Sequence, residues 1–210
     1  MLFRKSPEKF WDLISSKYAA SPILDLAAYK TKIEKIKSYL SPENVLLDIG
    51  CGTGTQCNDP SGYVKQATGI DISGKLLAIA EQRKAERNID NVEFIKTSLF
   101  DEHFRAGSFD VVMAFYVLHF FEDIDAVFKR IHTLLKPGSL FISETTCMGE
   151  HDITEGKILG FFGWLGFMPK INPLTYKQLE QAMETAGFDL IEKTQFSDSK
   201  SEFTLIMKKR

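Results

Sequence analysis

From Val45 onward the chain alternates short apolar runs with helical stretches. VLLDI, ATGIDI, NVEFIK, FDVVMAFYV and SLFISET are compact runs rich in Val, Ile and Phe, and between them SGKLLAIAEQRKAERN and DAVFKRIHTLLK repeat apolar residues at steps of three and four. Strands that alternate with helices in this way form right-handed crossovers, so the pattern predicts a parallel sheet covered on both faces. The first 40 residues read as helices: FWDLISSKY, then LDLAAYKTKIEKIKSYL, where Leu26, Tyr29, Ile33, Ile36 and Leu40 mark one face with lysines between and Ser41-Pro42 ends the run. Beyond Thr175, which with Gln178 fits a capping box, TYKQLEQAMETAG predicts a helix closed by Gly187. FDLIEKTQF and SEFTLIMKK, separated by SDSK, predict a hairpin on one side of the sheet.

The first predicted strand runs into LDIGCGTGT, where Gly50, Gly52 and Gly54 fall within five residues. Glycines between a strand and a helix let a ligand lie against bare backbone. Asp71 closes the second predicted strand about 20 residues on, the place where a carboxylate accepts the hydroxyls of a ribose. The pair predicts a pocket for a nucleoside with an anionic group attached. Its spacing, G-x-G-x-G, lacks the last glycine of the dinucleotide pattern G-x-G-x-x-G, which counts against an NAD-dependent oxidoreductase.

LLDIGCGTGT, TGIDIS, FDVVMAFYVLHFFED and LLKPGSLFISE resemble, in order and spacing, the cofactor loop, ribose-binding strand end, fourth strand and fifth strand of class I S-adenosylmethionine-dependent methyltransferases. The resemblance covers roughly residues 40 to 147 and is nearest to the group that holds ubiquinone- and menaquinone-pathway enzymes and many small-molecule methyltransferases. It implies a Rossmann-like α/β fold, a mostly parallel seven-stranded sheet with a C-terminal antiparallel hairpin, in one domain. Within it, 1–40 would be a helical cap, 41–147 the cofactor-binding core, 148–174 an apolar lid or substrate insertion, and 175–210 the helix and hairpin.

The same resemblance implies S-adenosylmethionine as cofactor and assigns its contacts. Gly50, Cys51, Gly52 and Gly54 would give backbone contacts around the methionine portion, with Asp48 orienting the loop or reaching the amino group. Asp71 would hold the ribose, Ile72 would lie on the adenine, and Ser98 and Leu99 would border its edge, with serine where an acidic residue is common. Ala114 and Phe115 would border the methionine side near the reacting methyl. Pro60 and Gly62 predict a short or late helix after the loop, capped by Asn58 or Asp59.

For the acceptor side, Tyr18, Tyr116, His119 and Glu144 are candidate substrate contacts. His119 is the first candidate base because an imidazole titrates near neutrality, with packing beneath Phe120 and Phe121 as the competing reading. ILGFFGWLGFM (residues 158–168) holds Phe161, Phe162, Trp164, Leu165, Phe167 and Met168, apolar surface that is costly in water. It reads as a wall over the active site, as a homodimer contact or as core. At 11 residues it is too short to span a bilayer.

Composition narrows the partners. With 26 basic and 28 acidic residues, nothing marks a nucleic-acid binder, and a small-molecule acceptor is expected. Three cysteines, an odd number, and a start without a signal-peptide core predict reduced thiols in the cytoplasm. Cys147 with His151 and Asp152 lacks a second ligand pair, so no metal site is expected. A catalytically silent module of the same fold, binding a partner through 158–168, is the alternative from outside the enzymes.

Overall fold

The computed structural model describes residues 6–147, 149, 169–196 and 202–210. Two helices precede the sheet, α1 (Pro7–Ala20) and α2 (Leu26–Lys37). The alternating part then gives β1 (Val45–Ile49), α3 (Thr55–Asn58), β2 (Gln66–Asp71), α4 (Gly74–Glu86), β3 (Val92–Lys96), β4 (Phe109–Phe115), α5 (Ile124–Leu134) and β5 (Leu135–Thr146). The chain closes with α6 (Tyr176–Thr185), β6 (Phe188–Thr194) and β7 (Glu202–Lys209). The seven strands form one sheet in the order β3-β2-β1-β4-β5-β7-β6. Pairing is parallel from β3 through β5, and β7 runs antiparallel to both β5 and β6.

Neighbouring residues of each central strand serve opposite faces, so both faces need cover. On one face Leu47, Val112, Phe141 and Met207 pack with Phe128 and Ile131 of α5 and Leu179 and Met183 of α6. On the other, Leu46, Val111, Met113 and Ile142 pack with Ile33 and Ile36 of α2. The strand order reverses between β1 and β4, which opens a crevice at the carboxyl ends of the strands. α1 is tied beside that crevice: Ser73 donates its hydroxyl to Asp12 Oδ1 at 2.6 Å, and Lys96 pairs with Glu8 at 2.7 Å.

Two boundaries depart from the sequence reading. α2 stops at Lys37, before Ser41-Pro42, and Tyr39 and Leu40 continue as tight turns onto the carbonyls of Ile36 and Lys37. The helix after the glycine loop is short, as Pro60 requires, but it does not start late. Gly54 takes φ 75°, which turns the chain at once into Thr55, so Asn58 and Asp59 lie at the carboxyl end of α3 and cap nothing at its start. The segment 158–168 and the residues His151 and Asp152 lie outside the described residues, and among those described no helix is long and apolar enough to cross a membrane.

The capping box is formed in full, with the Thr175 hydroxyl accepting from the Gln178 N–H and the Gln178 side chain accepting from the Thr175 N–H. Thr175→Ala should cost about 1 kcal/mol. Urea denaturation should show a lower midpoint with an unchanged slope; an unchanged midpoint would mean that packing alone holds α6.

Candidate functional site

Two joined cavities occupy the crevice. The first, about 430 Å³, is lined by Gly50, Gly52, Asp71, Ile72, Ser98, Leu99 and Phe115, and by Trp11 of α1 and Phe120 after β4. The second, about 750 Å³, is lined by Lys32, Thr53, Arg83, Glu144 and Phe196 among others. Tyr18, Gly50, Phe115 and Tyr116 border both, so the two meet at the ends of β1 and β4.

Asp71 is the buried carboxylate of the first cavity. Its Oδ2 accepts the Gly52 N–H at 3.0 Å and its Oδ1 the Ser73 N–H at 2.8 Å, which leaves each oxygen a further lone pair for a ligand hydroxyl. Burial raises its pKa, and those peptide N–H groups oppose the rise. Ser73, not Asp71, caps α4 by accepting from the Leu76 N–H. Asp71 is thus free to serve a ligand.

The loop glycines divide into two roles. At Gly50 an added Cβ would stand 2.5 Å from Val117, whereas at Gly52 it would meet only Tyr18, at 3.7 Å. Both positions border the cavities at positive φ, where a side chain would be strained and would fill the space a ligand needs. Gly54 lines neither cavity; an added Cβ there would stand 2.6 Å from the Phe94 ring and 2.8 Å from Ala80, so this glycine lets α4 and β3 pack closely.

Four N–H groups of the loop are spent inside the protein. The N–H groups of Gly50 and Cys51 go to the Ile70 carbonyl, that of Gly52 to Asp71, and that of Gly54 to the Cys51 carbonyl. These four donors are committed within the protein. Cys51 lines the second cavity through a buried residue, and burial pushes its thiol pKa up, in keeping with packing.

The cation at this end comes from α4. Arg83 lines the second cavity and donates to the hydroxyls of Thr53 at 2.7 Å and Thr55 at 3.1 Å and to the Ala19 carbonyl at 2.9 Å. It has no carboxylate partner among the described residues.

Asp48 lies at 1% exposure, lines neither cavity, and keeps Oδ2 without a hydrogen-bond partner. Burial first, then the charge of Asp71, raises its pKa to about 8. Ala114 is likewise fully buried and packs in the core, lining neither cavity, whereas Phe115 and Tyr116 line both.

His119 does not reach either cavity. Its Nδ1 sits 2.9 Å from the Thr145 hydroxyl, its ring packs against Phe120 at a tilt of 50° with centroids 4.1 Å apart, and burial lowers its pKa to about 4. An imidazole so placed stays neutral and is a weak base. Contact with Phe120 agrees with the packing reading, although the ring nitrogen meets a hydroxyl and not a backbone carbonyl.

Tyr18, Tyr116 and Glu144 are at the cavity, and they bring a residue that the sequence reading missed. Lys32 of α2, 5% exposed, pairs with Glu144 Oε2 at 2.6 Å, while Tyr116 donates its hydroxyl to Oε1 at 2.8 Å. Burial, then the Glu144 charge, raises the Tyr116 phenol pKa, so it remains protonated.

A carboxyl harder to ionise in the fold than in the unfolded chain stabilises while protonated, so the Asp48 contribution is full below about pH 4 and declines up to about pH 8. Asp48→Asn lacks that decline. Its urea midpoint relative to wild type should improve between about pH 5 and about pH 8; a constant difference would mean that Asp48 ionises normally in the fold.

Comparison with known proteins bears on this arrangement. Residues 47–143 match the methyltransferase domain family. Over 99 residues the chain is 38% identical to a demethylmenaquinone methyltransferase of Lactococcus lactis, covering 44% of this chain and 38% of that protein. It is 28% identical over 120 residues to the uncharacterized methyltransferase YcgJ of Bacillus subtilis, covering 57% and 46%. The chain thus spans about half or less of these relatives' length. The YcgJ crystal structure shares the fold with TM-score 0.69 at 16% identity, covering 87% of this chain and 98% of that one. A Mesorhizobium loti S-adenosylmethionine-dependent methyltransferase shares it with TM-score 0.70 at 19% identity, covering 89% and 100%. Residues 47–143 are thus similar to the methyltransferase domain family, and the chain shares its fold with solved S-adenosylmethionine-dependent methyltransferases.

Proposed function

We propose that the chain transfers the methyl group of S-adenosylmethionine to a small-molecule acceptor bound in the larger cavity. The observation that carries this reading is the Asp71 carboxylate, buried and held at the rim of a cavity whose other wall is the glycine loop. Its two spare lone pairs fit the paired hydroxyls of a ribose. Ile72 and Leu99 supply apolar faces for an adenine, and Gly50 and Gly52 leave backbone room for the aminoacyl arm. The cofactor's sulfonium supplies a methyl group already activated for displacement.

The protein's own part is alignment and exclusion of water, which can be worth several kcal/mol. Trp11 and Tyr18 of α1 and Phe120 cover the nucleoside side, and Arg83 offers its guanidinium to the carboxylate of the arm. Phe115 and Tyr116, where the cavities meet, border the place where the methyl group passes. Tyr29, Phe115, Tyr116 and Phe196 make the acceptor side aromatic, which suits a partly apolar molecule. Relatives named for demethylmenaquinone and ubiquinone biosynthesis support an acceptor of that kind. Three buried cysteines outside any disulfide are compatible with a reducing, cytoplasmic setting. The nicotinamide and silent-module readings have no observation in their favour.

Release of adenosylhomocysteine across a panel of phenol, quinol, amine and thiol acceptors tests the reaction. In calorimetry, Asp71→Ala should weaken adenosylhomocysteine binding by roughly 30-fold, the equivalent of about 2 kcal/mol for hydrogen bonds to a charged group. Arg83→Met should weaken adenosylhomocysteine similarly yet leave 5′-methylthioadenosine, which lacks the carboxylate, within about 3-fold. Equal losses for both ligands would remove Arg83 from the carboxylate.

A further inference from the structure

Lys32 is a buried charge that the cofactor reading leaves without a task. It lines the larger cavity, and its Nζ lies 5.6 Å from the ring centres of Tyr29 and Phe115 and 5.3 Å from that of Tyr116, within the range of cation–π attraction. Tyr116 adopts φ 55°, a left-handed conformation uncommon for a bulky residue, and its N–H donates to the Glu144 carbonyl at 2.7 Å. Backbone strain of this kind persists where surrounding structure enforces it, and it clusters at functional sites. A strained tyrosine, a buried ion pair and three aromatic rings thus converge on one end of one cavity.

The hydrogen bonding there is unequal. Glu144 is well supplied: Oε2 accepts from Lys32 and, at 3.1 Å, from the Thr204 hydroxyl, and Oε1 accepts from Tyr116. Lys32 is not. An ammonium carries three donors, and beyond the one given to Glu144 the other two have no partner among the described residues. Buried donors are normally satisfied, and unspent donors on a cation beside a cavity match an oxygen with high electron density, an oxyanion above all. The flanking rings match a flat, apolar body behind that oxygen.

The geometry points to Lys32 as the anchor of the methyl acceptor, a planar phenol bound through its hydroxyl oxygen to the ammonium and flanked by Tyr29, Phe115 and Tyr116. That the phenol is a methyl acceptor rests on the methyl-transfer reading; that a phenol binds here does not. Lys32 and Glu144 cancel each other's charge, and Arg83, Asp25 and Glu202 also line this cavity, so it is the direct contact with the ammonium that favours an ionised phenol oxygen. The phenol's proton goes to solvent on binding, and the oxygen then holds the lone pair that methyl transfer requires. Lys32 would accordingly set which acceptors are taken, with Glu144 holding it in place.

Binding of 4-nitrophenol, whose ionisation is read from its absorbance, tests this with the full chain, both alone and with sinefungin, an adenosylmethionine analogue that transfers no methyl group. Bound to wild type, the probe should ionise about one pH unit or more below its value in water, roughly a tenfold preference for the phenolate. The double variant Lys32→Met with Glu144→Gln removes both charges together, so no lone charge stays buried. It should lose the shift and bind the probe about tenfold more weakly near pH 7, while sinefungin affinity stays within about 3-fold. Lys32→Arg should recover part of the shift. A wild-type protein that does not bind the probe, or binds it with unshifted ionisation, overturns the inference, as does a double variant that keeps the shift. Failure of sinefungin to bind wild type would overturn the cofactor reading instead, and the titration without it would still decide the role of Lys32.

Discussion

Two peptide N–H groups, from Gly52 and Ser73, hold the Asp71 carboxylate at the carboxyl end of β2, and the site depends on that grip. The bond from Gly52 ties the loop after β1 to the end of β2, so the position of the loop and the position of the carboxylate are set together. Burial alone would favour a neutral acid at this depth; peptide donors on both oxygens favour the charged form. A ligand hydroxyl therefore meets an acceptor that is already oriented. The sheet supplies the place, since the reversal of strand order between β1 and β4 opens the crevice that Asp71 and the loop border.

Cover over this crevice comes from elements outside the alternating core. α1 leans on α4 through Asp12 and on β3 through Glu8, which brings Trp11 and Tyr18 over the nucleoside end. α2 faces the other end and delivers Lys32 to Glu144. The two ends differ in chemistry: the buried Asp71 carboxylate with apolar faces at one, the buried Lys32–Glu144 ion pair with aromatic rings at the other. Such a division suits two different ligands that meet at Tyr18, Gly50, Phe115 and Tyr116.

Much of this was legible in the sequence, for physical reasons. The β-branched runs and helical spacings are dictated by burial on both faces of a parallel sheet, so the strands and helices of the core followed from them. A glycine triplet and an acid at a strand end have few other uses in that setting, and Asp71, Gly50 and Gly52 are where they were expected. What escaped was the work of individual hydrogen bonds. Gly54 looked like its neighbours but faces Phe94 and Ala80, and the loop donors expected to meet a ligand are consumed by Ile70, Asp71 and Cys51. His119 offered a suitable ring in a suitable turn, and the burial that lowers its pKa does not show in its spacing. The two cations did leave a signal. Lys32 shares the apolar face of α2 with Tyr29 and Ile36, and Arg83 lies at helical spacing from Leu76 and Ala80, so each occupies a position where an exposed charge is out of place.

A crystal structure of the protein with adenosylhomocysteine bound tests the central claim most directly. The account predicts ribose hydroxyls about 2.5–3.0 Å from the Asp71 oxygens, the adenine between Ile72 and Leu99, and the sulfur near the junction of the two cavities. Ligand bound elsewhere, or its ribose turned away from Asp71, would contradict it.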